Sequence, residues 1–246
     1  MVKIFPEIFS HGNAFPSEKG KRRYLMTERL WGILVDSFPK MLLAGIRMTI
    51  PLTLISFTCA MIIAIFCAMV QYAHINVLSQ IIRLYIWVFR GTPLMVQLFV
   101  IFFGLPSVGI IIDPFPCAIL VFSLNEGAYC SETMRSAIES VPTGQIEAGY
   151  CCGLTYFQIM RRIVLPQAFK TAFPPLSNSL IGLVKDTSLA ANITVLEMLY
   201  TTKMIVGKTY EPLALYIEVA LIYLMISTIL TFVQRWGEKK LGKFGY

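Results

Sequence analysis

Side chains able to do chemistry are sparse in this sequence, and their positions are informative. Glu126 stands with Asn125 and Gly127 in the middle of the apolar run PCAILVFSLNEGAYCSETMRSAI (116–138). An ionisable group at the centre of a spanning helix costs about 2.5–3.5 kcal/mol on insertion scales, so it calls for a partner or a ligand. Lys185, Asp186, Thr187 and Ser188 form a second polar block within FPPLSNSLIGLVKDTSLAANITVLEML (173–199). Backbone groups freed at a broken helix can hold a carboxylate or an ammonium. Gln97, four residues after Pro93, is placed to reach the same cavity. Each has a plainer reading: Glu126 pairs with a neighbouring helix, the 185–188 block is a solvated helix end, and Gln97 bonds between helices. The chemistry on offer is recognition of a zwitterion with a polar or charged side chain. No HExxH or G-x-S-x-G motif occurs and the carboxylates form no obvious catalytic group, so a membrane-embedded enzyme is disfavoured. The six cysteines contain no CxxC and only two histidines are present. Neither a disulfide framework nor a metal site is expected, and most of these thiols act as small hydrophobes.

A different pattern fills EAGYCCGLTYFQIMRRIVLPQAF (147–169). Pro142 bars Val141 from helical geometry, so a helix can start near Thr143 with Glu147 close to its positive end. Gly153 suits the left-handed residue that stops it. Thr155 and Gln158 have the spacing of a capping box for a second helix. Tyr156, Ile159, Met160 and Ile163 then recur at helical spacing, with Arg161 and Arg162 off that face. Pro166 is expected to end it, with Leu165 biased out of the helix. The pattern specifies a helix–turn–helix elbow, with an ordinary connecting loop as the plain alternative. A short exposed helix with a carboxylate near its start suits a partner's groove.

The elements that must position these residues are membrane spans. Of 246 residues 56% are hydrophobic and 14% charged, far from a soluble domain. The formal charge of +7 marks membrane faces better than nucleic-acid binding, which is not expected. A span needs about 20 mostly apolar residues. Residues 41–70 qualify, with a tilt or bend at Pro51. Residues 94–112 follow, preceded by 79–89 at the interface; then come 116–138, the interrupted 173–199, and 212–234. Five crossings result. The N-terminal 26 residues lack a continuous apolar stretch, so no cleaved signal peptide is expected. Residues 23–35 read as an interfacial amphipathic helix with Trp31 near the surface. The tail carries Arg235, Lys239, Lys240 and Lys243, which favours a cytoplasmic C-terminus, with the elbow on the same side and the N-terminus outside. Seven lysines and arginines in the first forty residues count against that orientation.

The spacing Glu147-Ala148-Gly149, three residues, Gly153, nine residues, Ile163-x-Leu165-Pro166 resembles the EAA loop of ABC importer permeases, with Gly149 standing for the second alanine. That exchange should loosen the helix by roughly 1 kcal/mol without moving the elbow. FRGTPLMVQLF (89–99), NEGAYCSETMRSAIESVPTGQ (125–145), LPQAFKTAFPPLSNSLIGLVKDTSLA (165–190) and ALIYL (220–224) resemble the polar-amino-acid branch of that family. The resemblance implies an all-α integral membrane protein of five transmembrane helices with the type I importer (MetI-like) permease fold. It implies an extension over residues 1–38 and a permease domain over 39–246, whose elbow, about 141–166, couples to an ATPase. Glu147, Ala148, Gly153, Arg161 and Arg162 would carry that coupling. Asn125, Glu126, Gln97 and residues 185–188 would line the pathway. The implied function is ATP-driven import of a polar or cationic amino acid (arginine, lysine or histidine, with glutamine or cystine also open) into a bacterial cell across its plasma membrane. The implied partners are a cytoplasmic ATP-binding subunit, a second permease subunit, an extracytoplasmic amino-acid-binding protein and membrane lipid. No P-loop G-x-x-x-x-G-K-[ST] occurs here, so ATP and magnesium belong to the partner ATPase and no cofactor to this chain. The competing reading is an ATP-independent secondary transporter or channel, which would show internal repeats.

Overall fold

The computed structural model describes residues 18–72 and 76–242. Most of the segment read as free of a signal peptide, and the last residues of the basic tail, lie outside the described residues. Every regular element described is helical: α1 (Glu18–Ala44), α2 (Ile50–Tyr72), α3 (Asn76–Gly91), α4 (Leu94–Phe99), α5 (Pro114–Glu139), α6 (Thr143–Cys151), α7 (Tyr156–Ile159), α8 (Leu165–Asp186), α9 (Met198–Thr209) and α10 (Pro212–Gly242).

Two stretches are long and apolar enough to span alone, Thr27–Tyr72 and Pro212–Gly242. Two others qualify as bent pairs. Asn76–Gly91 meets Leu94–Val108 at 105°, and Tyr156–Ile193 meets Met198–Thr209 at 51°. Together with α5, whose 26 residues span about 39 Å at 1.5 Å per residue, they make the five crossings. α5 is less apolar, with Glu126, Glu132, Arg135 and Glu139 along it, yet its middle is enclosed. Ser123, Asn125, Glu126, Gly127, Ala128, Cys130 and Ser131 are all buried there. Small residues of α2, among them Ser56, Ala60, Ala64 and Ala68, face it and let the two backbones approach, the usual way helices associate without a hydrophobic driving force. Ile62, Phe66 and Met69 point outward instead, as a lipid-facing surface requires.

The boundaries differ from the expected ones in three places. Residues 23–35 do not stand apart as a surface helix. They belong to α1, which runs through Pro39 and, by one π turn, into α2. The second span is shorter than 94–112: the helix after Pro93 ends at Val108, before left-handed Gly109. The preceding amphipathic α3 meets it at 105°, so α3 turns across its end, where 79–89 is expected, rather than extending it. Pro166 does not end a helix. Leu165 is helical at φ −60°, ψ −40°, and α8 also contains Pro174 and Pro175.

One device explains most of these continuities. Three π turns occur among the described residues, Gly45–Thr49, Val100–Gly104 and Met160–Val164, and each ends two residues before a proline. In a regular helix the proline ring strikes the carbonyl four residues back and offers it no N–H. Those carbonyls, of Arg47, Phe102 and Arg162, lie inside the wider turns. There the amides of Ile50 and Leu165 bond to Gly45 and Met160, five residues back. The ladder is shifted by one residue ahead of the proline rather than broken by it.

Candidate substrate cavity and coupling elbow

The corner between α3 and α4 is built by Gly91, Thr92 and Pro93. Pro93 is extended at ψ 134° and cannot donate a backbone N–H. The amide of Gln97 closes the corner by donating to the carbonyls of Phe89 (2.9 Å) and Thr92 (3.1 Å) and to Thr92 Oγ1 (2.8 Å). Its Oε1 accepts a bond from Asn125 Nδ2 at 3.0 Å, and that same nitrogen reaches the Phe89 carbonyl at 3.2 Å. Gln97 therefore orients Asn125 and fastens α5 to the corner.

In front of this support lies a cavity of about 570 Å³ lined by the corner residues, by Asn125, Glu126 and Tyr129 of α5, and by Ser179, Gly182 and Asp186 of α8, with Arg90 at its edge. Its size suits a small organic solute. Glu126 is 9% exposed; Cys130 Sγ donates to its Oε1 at 3.4 Å, and Ser179 faces the same carboxylate. Asp186 occupies the last turn of α8, where the helix gives way to a 3-10 segment, Thr187–Ile193. Arg90 stacks over the Tyr129 ring at 5.1 Å and stands 3.7 Å from Glu132. The cavity thus presents two carboxylates, a guanidinium, a side-chain amide and three hydroxyls, of Thr92, Tyr129 and Ser179.

Of the residues singled out from the sequence, Glu126, Asn125 and Asp186 meet in this cavity. Gln97, Lys185, Thr187 and Ser188 do not line it. Lys185 is exposed. Thr187 is fully buried and donates to the Val184 carbonyl at 2.6 Å, so it terminates α8. Arg90, in the last turn of α3, is part of the wall. Tyr129 and Ser179 gave no signal, since their type and neighbours are ordinary in an apolar helix. Glu218 of α10 is 9% exposed and accepts a bond from Ser37 of α1.

The elbow forms as its local chemistry dictates. α6 starts after Pro142, and Gly153 holds φ 77°, a conformation costly for any residue with a Cβ. Thr155 and Gln158 make both bonds of the capping box. Val141, Ile159 and Val164 form its small core with Ile146, Leu154 and Ile163 packed around them. Glu147, Ala148, Gly153, Arg161 and Arg162 are all exposed, as are Tyr150, Tyr156 and Phe157, each more than half. Tyr156 therefore leaves the apolar face its spacing assigned to it.

The profile of the family described as binding-protein-dependent transport system inner membrane component matches residues 60–243. The chain belongs to this family of ABC importer permeases. The L-cystine transport system permease protein TcyB of Bacillus subtilis is 44% identical over 87% of this chain and 92% of its own length. The nopaline transport system permease protein NocM of Agrobacterium fabrum is 36% identical over 81% of this chain and 86% of its own. The permease also superimposes on a solved amino acid ABC transporter crystallised with histidines, with TM-score 0.76 and 27% identity over 88% of this chain and 97% of that one. Like its relatives the permease is a transporter subunit in the membrane rather than an enzyme, and the resemblance to the amino-acid branch holds.

Gly149 shows what the permease gains from departing from the EAA pattern. It is buried, and a Cβ built there would lie 2.8 Å from Ile159 Cγ1 and 3.3 Å from Ile163 Cδ1. The glycine is not merely a helix-loosening residue: it lets α6 close on the second helix of the elbow. Gly149→Ala gains about 1 kcal/mol of helix propensity but overpacks the elbow at a cost of about 1–3 kcal/mol. Hydrogen exchange over residues 143–165 should quicken in Gly149→Ala. Unchanged exchange in that variant would disprove the close approach.

Proposed function

We propose that the permease carries a polar or cationic amino acid through a pathway formed with a second permease subunit, driven by a separate cytoplasmic ATPase and supplied by an extracytoplasmic binding protein. The observation that carries this reading is the cavity's pairing of Glu126 and Asp186 with Arg90. A zwitterion needs one site of each sign, and the second carboxylate suits a solute with a further cationic group. Arginine and lysine answer that description through their side chains. Cystine answers it with a second α-ammonium, and the 44% identity to a cystine permease makes it the second reading.

Coupling follows from the elbow. It protrudes as a short, separately packed unit, ending in the helix that runs through the π turn at Met160–Val164 to Asp186 at the cavity. Glu147 and the exposed aromatic residues enter a groove of the ATPase, with Arg161 and Arg162 at its rim. Closure of two ATPases moves the elbows, and the cavity alternates between openings. In this arrangement the elbow and the C-terminus are cytoplasmic and the N-terminus is outside.

The test is uptake by the complex reconstituted with its ATPase and binding protein, across a panel of arginine, lysine, histidine, glutamine and cystine. Glu126→Gln and Asp186→Asn should each raise the half-saturating concentration of a dicationic substrate by about 10- to 100-fold, as expected for loss of a charged hydrogen bond. Identical kinetics in both variants would remove the cavity from the pathway. Uptake that persists without the ATPase would favour the secondary-transporter alternative.

A further inference from the structure

A second polar cavity, of about 390 Å³, lies toward the elbow, separated from the first by the Arg90–Glu132 contact. It is lined by Gln71 near the end of α2, by Arg83, Ile86 and Trp87 of α3, and by Glu132, Arg135 and Glu139 of α5. Its charges are unevenly matched. Arg135 is engaged twice over, by Glu132 at 3.0 Å and by Glu139 at 2.8 Å. Among the described residues Arg83 has no ion pair. Gln71 Nε2 is buried without a hydrogen-bond partner, although a buried amide donor is nearly always satisfied. Gln71 is part of the cavity wall, and its terminal torsion is soft. Arg83 and Gln71 thus provide donors for an oxyanion. Glu139, about half exposed, keeps acceptor capacity for an ammonium, since a carboxylate accepts at about four positions. Arg83 and Arg135 stand in its wall with Glu132 and Glu139, and Arg90 lies 3.7 Å from Glu132 behind it, so the cavity presents both signs to a headgroup that carries both.

The surface beside the cavity says where that zwitterion comes from. Along α3, Val77, Ile81, Leu84, Trp87 and Val88 form an exposed apolar stripe, with Trp87 72% and Ile81 58% exposed. Trp87 belongs both to the stripe and to the cavity wall, the placement of an aromatic residue at a membrane interface. We infer that this cavity holds the headgroup of an aminophospholipid, with its phosphate on Arg83 and Gln71, its ammonium toward Glu139, and its acyl chains along the α3 stripe. A free zwitterion, such as a cytosolic amino acid, shares the headgroup's chemistry but has nothing to lay on the stripe.

The full chain, purified in detergent and stripped of lipid, is titrated with short-chain phosphatidylethanolamine while Trp87 fluorescence and native mass spectra are followed. Parallel titrations use glycerophosphoethanolamine, arginine and phosphatidylglycerol. Phosphatidylethanolamine should bind at least about tenfold more tightly than the other three. Arg83→Ala should weaken it at least about tenfold and Arg83→Lys less. Arg235→Ala, which removes an exposed charge from the same end of α10, should leave binding unchanged; circular dichroism and size exclusion report whether each variant is folded. Equal binding of arginine would make the site one for soluble zwitterions, and equal binding of phosphatidylglycerol would make it a generic anion site. Either result, or unaltered binding in folded Arg83→Ala, overturns the assignment.

Discussion

Replacing Glu147 by arginine is expected to lower ATP-driven uptake by at least about 100-fold while leaving the permease folded and its solute cavity intact. Glu147 is exposed, no ion pair or hydrogen bond involves it among the described residues, and it lies outside the elbow's small core. Nothing in the isolated chain therefore depends on its charge. In the proposed assembly it enters a groove of the ATPase, where setting like charges against each other costs several kcal/mol and a rim contact costs little. The size of the effect thus distinguishes a docked carboxylate from a peripheral one. Glu147→Gln, which retains one acceptor, should lose much less. Three readings separate the causes: co-purification of the ATPase, ATP hydrolysis by the complex, and solute binding to the permease. The expected result is loss of the first two with the third unchanged. Wild-type uptake in Glu147→Arg would show that this part of the elbow carries no coupling force.

The elbow was legible because its determinants are local. Pro142, Gly153 and the Thr155–Gln158 pair act on residues within one turn, so their types alone predict φ, ψ and the capping bonds found in the structure. The end of α8 at Asp186 was legible for the same reason, as a polar break in an apolar run. The uninterrupted passage through Pro166 was not. The rule that a proline excludes its predecessor from helix is also local, but packing sustains the π turn that evades it: Val164 is fully buried and Ile159 nearly so. The cavity shows the same division. Glu126 and Asn125 announced themselves as polar residues in an apolar helix. Whether Gln97 touches solute or merely steadies Asn125 depends on a bond across 28 positions, which no local pattern encodes. Arg90 gave no such sign, since its setting is a helix end; the turn at Gly91–Pro93 brings it to the cavity.

Glu197 shows how much a residue without a sequence signal can matter, and its replacement by alanine should unfold more protein than any other single change discussed. It falls near the end of the interrupted span 173–199, between Leu196 and Met198, with nothing around it to mark it. The structure buries it completely. Oε1 accepts from the Tyr200 amide at 2.7 Å and caps α9; Oε2 accepts from the Tyr223 hydroxyl of α10 at 2.7 Å. One carboxylate thus ties the bent end of the fourth span to the fifth, eleven residues beyond Asp186 at the cavity. Glu197→Ala removes a cap, worth about 0.5–2 kcal/mol, and leaves the Tyr223 hydroxyl without its acceptor, a further cost of about 1–3 kcal/mol. An added void brings the total to roughly 3–5 kcal/mol, in the range of other buried large-to-alanine changes. Glu197→Gln keeps the volume and one acceptor, so it should lose less than half as much. Tyr223→Phe should fall between them, because it frees one carboxylate oxygen but leaves the cap. Fluorescence-detected size exclusion after a heating series would rank the three: alanine least stable, then phenylalanine at 223, then glutamine. If alanine and glutamine melted together, the two bonds would contribute nothing beyond side-chain volume, and the tie between the spans would have to be apolar packing around Met198 and Leu215.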